Sequence, residues 1–325
     1  MAGHRGGRLT LEYASGNSDT DHLMTATHQI ASRNSSLAFL ALLGAGVSVG
    51  FSPIFARLSD LAPLASGFYR LALAVPAIWL FAWLAGEPLN SLFTLSRSDR
   101  IRLILAGLAF AADIGFWHLA IAHTTVLEAT LLASTVPIMV TVAAIFFFGE
   151  KIKTLFLLGL GLALLGVATL AVQRSGAVVS PPNRFLGGAF AMLAALFFAI
   201  YLLIIANVRR HTSTTTIMFY MSLVSALALL PFAFALSPTL VSGSLEGWLI
   251  LLGLAVISHT GGQGLMTFAL AHLPTSFSSM TGLMQTAVAA IAAWILFAEP
   301  LTPLMLASGG AILAGIWICR RATTA

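Results

Sequence analysis

The sequence predicts an all-α integral membrane protein: ten transmembrane helices forming two inverted five-helix repeats around a central cavity. Three observations predict it. Charge is scarce, at 8% of residues against 58% hydrophobic over 325 positions. An average soluble domain carries about 25% charged residues, so a water-soluble chain of this size could not cover its surface. Apolar runs of spanning length divide the chain, and a late stretch repeats an early one five runs later.

Taken in order, the first 36 residues are polar and lack the apolar core of a signal peptide. They read as a disordered cytosolic tail, within which Met24 is an alternative start. Apolar runs follow near 37–57, 64–85, 101–121, 126–148, 154–172, 185–206, 215–236, 247–270, 275–298 and 302–319. Each is close to the ~20 residues that cross a hydrocarbon core of roughly 30 Å. Lipid offers the backbone no partners, so each must be helical. Residues 37–173 form a first repeat, 185–319 a second, and 320–325 a short cytosolic end. With the N-terminus inside, Arg5, Arg8, Arg33, Arg97, Arg100, Arg102, Lys151, Lys153, Arg209, Arg210, Arg320 and Arg321 face the cytosol. Arg57, Arg70, Arg174 and Arg184 face out, which leaves 12 of the 16 basic residues inside. The positive-inside bias therefore puts both termini in the cytosol, and the plasma membrane of a bacterium is the expected location.

The pI near 10 reflects an excess of only five charges, scattered singly and in pairs. That pattern excludes a nucleic-acid surface. The single cysteine, Cys319, excludes an intramolecular disulfide. No Cys/His spacing suits a metal, and no cofactor is expected.

The repeat is "AIAHTTVLEATLLASTVPIMVTVAAIFFFGEKIKTLFLLGLGLALLG" (120–166) against "ALAHLPTSFSSMTGLMQTAVAAIAAWILFAEPLTPLMLASGGAILAG" (269–315), aligned without a gap at an offset of 149. His123 pairs with His272, Phe148 with Phe297, and Glu150 with Glu299. Five spans separate the copies. Five is odd, so the second copy enters the membrane the other way up. Inverted repeats of this kind characterise secondary transporters, with the substrate near the midplane between the halves.

These halves, each with a span closed by "FFFGEK" or "LFAEP" and then a Gly-rich span, resemble the EamA family of the drug/metabolite transporter superfamily. "GAGVSVGFSPIFARLSDLAPLASGFYRLALA" resembles its first two helices and "DIGFWHLAIAHTTVLEATLLASTVPIMV" its third and fourth. The resemblance covers about 37–319 and implies a ten-helix basket that exports small organic metabolites or drugs without ATP. Glu128 stands where the family commonly has a small residue.

Ionisable groups inside spans are functional candidates by default. Asp113 lies 12 residues after Ile101, about 18 Å along a helix and so near mid-bilayer. Trp117 shares its face. An acid beside an aromatic suits an amine-bearing substrate and also a proton site; the structural alternative is a hydrogen bond to a neighbouring helix. His259 falls mid-span in the eighth helix, where the repeat offset maps it onto Phe110. It is expected to approach Asp113, or one ligand with it, and its titration near neutrality suits proton coupling. A satisfied structural histidine is the alternative. Either His118 or Asp113 faces the cavity, being about 140° apart, while His123 and His272 cap helix ends.

Glu128, Arg57, Asp60 and Arg70 are expected at the outer face, either as a charge-paired gate or as side chains reaching water. Glu150 and Glu299 are expected to hold the next helix. Pro53, Pro137 and the run Gly261, Gly262, Gln263, Gly264 break helices where a cavity would tolerate it. Ser278, Thr281, Gly282 and Gln285 form a polar stripe on the ninth helix, and Thr130, Ser134 and Thr141 one on the fourth. Gly159, Ala163 and Gly166, with Gly310, Ala314 and Gly315, read as close-packing surfaces for a neighbouring helix or a dimer.

The function that follows is a secondary transporter moving a small organic metabolite by alternating access, with proton coupling an option. Asp113, Trp117, His259, Gln263, Ser278, Thr281, Gln285, Phe51 and Ser134 are the substrate candidates; Asp113, His259, Glu128 and Arg70 are the coupling or gate candidates. A membrane enzyme is the rival class, but H-E-x-x-H does not occur, and the one G-x-S-x-G match, Gly46 to Gly50, lies inside the first apolar run and not at the strand-to-helix turn that the motif requires. A structural or sensory membrane protein is the third. No G-x-x-x-x-G-K-[ST] loop exists for ATP. With no Lys or Arg assigned to the midplane, phosphorylated anions fit poorly, and amino acids, amines or aromatic metabolites fit Asp113, Trp117, Phe51 and Tyr201 better. The partners are therefore this substrate, membrane lipid and, on the coupled reading, protons, and the protein is a monomer or homodimer.

Overall fold

The computed structural model describes residues 35–87, 89–90, 93–124, 129, 132–174, 183–298 and 302–324. Residues 1–34 of the expected N-terminal tail, Glu128, Thr130 and Glu299 lie outside these residues, and Ser35 and Ser36, assigned to the tail, begin the first helix. The helices are α1 (Ser35–Leu58), α2 (Pro63–Leu84), α3 (Arg97–His123), α4 (Val136–Phe148), α5 (Thr154–Arg174), α6 (Arg184–Val208), α7 (Thr214–Leu236), α8 (Leu245–Ala269), α9 (Thr275–Phe297) and α10 (Pro303–Thr324). All but α4 are, among the described residues, long and apolar enough to cross a membrane. The chain is an all-α membrane protein. Its last helix runs on through the expected C-terminal tail, to Thr324.

Helix starts follow local chemistry. Ser96, Asn183, Ser213 and Ser244 each accept a hydrogen bond from a first-turn N–H, at 2.9–3.3 Å. These side chains satisfy donors that would otherwise be stranded at a membrane boundary. Pro63 and Pro137 sit in the first turn of their helices, where a missing N–H loses nothing. The α4 and α9 segments end alike, on left-handed residues Gly149 (φ 64°) and Ala298 (φ 52°) at the repeat offset.

The core joins helices of both halves. The α3 and α6 helices pack along their length, as do α5 and α10, and α7 lies against α2 and α3. Small residues permit this. A Cβ on Gly159 would fall 2.7 Å from the Gly315 carbonyl and from Cys319 Sγ, and one on Gly166 would meet the Ser308 carbonyl. The Gly159, Ala163, Gly166 and Gly315 stripe is therefore spent inside the chain, between α5 and α10, and does not form a dimer surface. Gly310 and Ala314, by contrast, are exposed.

Hydrogen bonds tie the two faces of the bundle. On the near face, where α1 begins, Glu150 accepts from the Thr275 N–H (2.9 Å) and from the Ser276 hydroxyl, so it caps α9. The expectation that it would hold the next helix is corrected: the repeat places it against the other half. Beside it, Glu87 accepts from Thr215 (3.0 Å) and the Asn90 N–H donates to Thr216 (3.2 Å), joining the α2–α3 loop to the start of α7. The far face shows the inverted counterpart. Asp60, just before α2, accepts from Ser242 (2.8 Å) and the Gly243 N–H (3.0 Å) of the α7–α8 loop. Aromatic rings add a matching pair: Arg57 over Phe297 (4.2 Å) on the far face and Arg210 over Phe148 (5.7 Å) on the near face.

Gly159→Val and Gly315→Val should each destabilise the protein by about 1–3 kcal/mol through overpacking, while Gly310→Val should stay within about 0.5 kcal/mol. Thermal melts in one detergent compare the three. Glu150→Ala removes a cap and should lose about 1–2 kcal/mol, read in the same melts.

Candidate functional site

Arg70 lies one turn along α2 from Gly67, which packs against Ile114 and His118 of α3. This contact brings Arg70 to the depth of Asp113, far from the outer rim assigned to it by charge counting. The reason is legible in its position. It is the eighth residue of α2, which at 1.5 Å per residue is about 10 Å inside the helix start. The interior therefore does contain an arginine, so the midplane is not closed to anionic groups.

Arg70 and Asp113 act on one another electrostatically, and Arg70 also acts on His118, Tyr201 and His259. Both side chains sit deep among the helices, yet both are only half-buried. They are not in contact; the one ion pair among the described residues joins Arg102 to Asp99 (3.3 Å) at the start of α3. Arg70 donates to the Ser52 hydroxyl at 3.0 Å, where α1 resumes after a break at Phe51. Its Nε is buried without a partner.

Opposite these charges stands a neutral wall. The ring of Phe110 meets Tyr201 (4.9 Å) and His259 (5.6 Å), and Phe198 meets Tyr201 (5.6 Å). Phe110 and His259 are repeat counterparts, so their contact marks where the pseudo-twofold axis crosses the bundle. His259 Nε2 bonds the Ser222 hydroxyl at 2.8 Å, and its Nδ1 is buried without a partner. The Tyr201 hydroxyl reaches Gln263 Oε1 at 3.5 Å. His259 and Gln263 sit on a π-helical stretch of α8, Leu254–Gln263. Widened turns of this type are frequent at functional sites, and this one is anchored by Ser258 donating to the Ser48 carbonyl (2.9 Å) at the α1 break.

The structure brings together Arg70, Asp113, His118, Tyr201, His259 and Gln263, with Ser52, Phe110 and Ser222 as groups sequence reasoning did not select. No hydrogen bond joins Asp113 to His259; Ser222 is the histidine's partner. Trp117 packs instead with Phe190 and Leu132 around Ala191, and Phe51 with Ile54 and Ala293 near the far face. Ser134 is half-buried beside the break before α4. On α9, Ser278 is buried with its hydroxyl unpartnered, Thr281 donates to the Ser278 carbonyl (2.9 Å), and Gln285 is half-buried. Gly282 departs from that polar stripe and is exposed, because the turn at Ser279–Met280 changes the helix phase. His118, His123 and His272 each bond the carbonyl four residues back, at 2.6, 2.9 and 3.2 Å. Two clefts of about 200 and 170 Å³ open around Glu150 on the near face; neither is lined by Asp113 or Arg70. Among the described residues, no three His, Cys, Asp or Glu side chains converge as metal ligands would.

The chain matches the EamA-like transporter family twice, over residues 36–172 and 185–321. It is 26% identical over 281 residues to an uncharacterized transporter of Archaeoglobus fulgidus, a match covering 86% of this chain and 95% of that one. It is 26% identical over 245 residues to a pseudopaline exporter of Pseudomonas aeruginosa, covering 74% and 80%. A solved crystal structure superposes with a TM-score of 0.74 at 16% identity, over 90% of this chain and 98% of the other; that likeness carries the fold alone. Matched in both halves, this chain belongs to the EamA-like transporter family and is an integral membrane transporter, not an enzyme.

Proposed function

We propose that this protein carries a small amine-bearing metabolite, an amino acid or an amine, across the plasma membrane of a bacterium by alternating access. Asp113 is the observation that carries the reading. It is a half-buried carboxylate in mid-helix, without an ion-pair contact, beside the axis that relates the two repeats. Intramembrane acids are sustained by a partner or a pathway, and an ammonium supplies a charge-assisted donor. The aromatic wall of Phe110, Phe198 and Tyr201 suits the apolar part of such a solute.

The matched ties at the two faces support the alternating step. Glu150 closes the near face and Asp60 the far face, so releasing one set while keeping the other opens the centre to one side at a time. In this reading the near face is cytosolic, with both chain termini on that side, and Asp113 also accepts the coupling proton. The pseudopaline exporter among the relatives supports export as the direction.

The test is a thermal-shift screen of purified protein with amino acids and amines, followed by counterflow in proteoliposomes. A ligand that stabilises the wild type should lose affinity on the order of a hundredfold in Asp113→Asn, the scale set by breaking a buried charge-assisted contact. Counterflow of that ligand should lose its pH dependence as well. Full transport with an unchanged pH profile in Asp113→Asn would remove Asp113 from the site and the proton path alike.

A further inference from the structure

Arg70 poses a problem that an amine alone does not solve. A guanidinium offers five N–H donors and cannot give up its charge. Here one nitrogen reaches Ser52 at 3.0 Å, while Nε is buried with no acceptor. Asp113 acts on Arg70 electrostatically, yet the two do not meet. Opposite charges left apart in a membrane interior are a polarised gap, and what fills such a gap best carries both charges in the reverse order. The groups around it are neutral: Tyr201, Gln263, His259 with its free Nδ1, and Ser222. A dianion would be repelled by Asp113, and a simple amine would leave the guanidinium donors unanswered.

We propose that Arg70, steadied by Ser52, is the carboxylate receptor of this site, so that the carried solute is a dipolar ion with its carboxylate on Arg70 and its ammonium on Asp113. The planar fork of arginine matches a carboxylate in two parallel hydrogen bonds. Binding fills the gap between the Arg70 and Asp113 side chains and answers both half-buried charges at once. Arg70 is thus the residue that separates amino acids from the amines formed by their decarboxylation. This inference rests on the amine-bearing reading above and narrows it.

The experiment compares matched sets on the purified full-length protein: phenylalanine, phenethylamine and hydrocinnamate, with the leucine and alanine sets alongside. Affinity is read by thermal shift and by competition in counterflow. In the wild type at least one amino acid should bind on the order of a hundredfold more tightly than its amine or its acid, because each half-molecule strands one buried charge. Arg70→Gln should abolish that preference by weakening the amino acid, with the amine bound no more weakly than by the wild type, since a cation near Asp113 has been removed. Arg70→Lys, which keeps the charge and loses the fork, should restore part of it. An amine bound as tightly as its amino acid by the wild type, or a folded Arg70→Gln that keeps the preference, overturns the role of Arg70 and leaves the amine-bearing reading standing. Binding of no amino acid or amine by the wild type, with Asp113→Asn unchanged in every assay, overturns that reading and this inference with it. If Arg70→Gln does not fold, the wild-type comparison and Arg70→Lys decide between these outcomes.

Discussion

The arrangement turns on two opposite charges, Arg70 and Asp113, held near enough to act on each other without forming an ion pair. A charge in a bilayer interior is expensive, and a desolvated pair is worth its place only when geometry and further hydrogen bonds are good. Here both charges come from the first repeat, and the second contributes neutral groups. At the offset that relates the halves, Asp113 maps onto Gly262, where a side chain would collide with Val49 of α1. Charge balance is thereby confined to one side of the axis, and the other side is free to be aromatic and hydrogen-bonding. The break in α1 at Phe51 and the π-helical stretch of α8 both serve this centre. One sets Ser52 against Arg70; the other turns His259 toward Ser222.

The inverted repeat uses the same local chemistry twice with opposite effect. The aromatic that ends α4 receives Arg210 on one face, and its copy at the end of α9 receives Arg57 on the other. The acid before α2 holds the loop after α7, while the loop after α2 holds the start of α7. Each tie joins one half to the other, so neither face opens without breaking contacts that its counterpart retains. One repeated pattern thus supplies a tie at each face, with the candidate site between them at the axis marked by Phe110 and His259.

Much of the fold was legible because its causes are local or periodic. Apolar length specified the helices, the offset of 149 specified the inversion, and capping residues specified several helix starts. The site was legible only where a polar residue stood out against apolar neighbours, as Asp113, His259 and Gln263 do. Arg70 was misassigned because charge counting sorts residues by loop, whereas depth depends on distance along the helix. Ser52, Ser222 and Phe110 carry no signal in one dimension, since serine and phenylalanine occur throughout membrane helices and only tertiary contact distinguishes these. The glycine stripes of α5 and α10 were recognisable as packing surfaces, but which partner they meet is a property of the assembled bundle. The π-helical register of α8 has no counterpart in α3 and was foreshadowed only by the glycines around Gln263.

The left-handed ends of α4 and α9 carry a consequence of their own. Gly149 adopts that backbone freely, whereas Ala298, its copy, crowds its Cβ against the chain at a φ of 52°. An alanine held there stores roughly 1 kcal/mol. The two ends of an otherwise matched pair are thus differently sprung, one relaxed and one loaded. Two mirrored halves therefore need not be energetically equal, since a single methyl group separates their copies of the same bend.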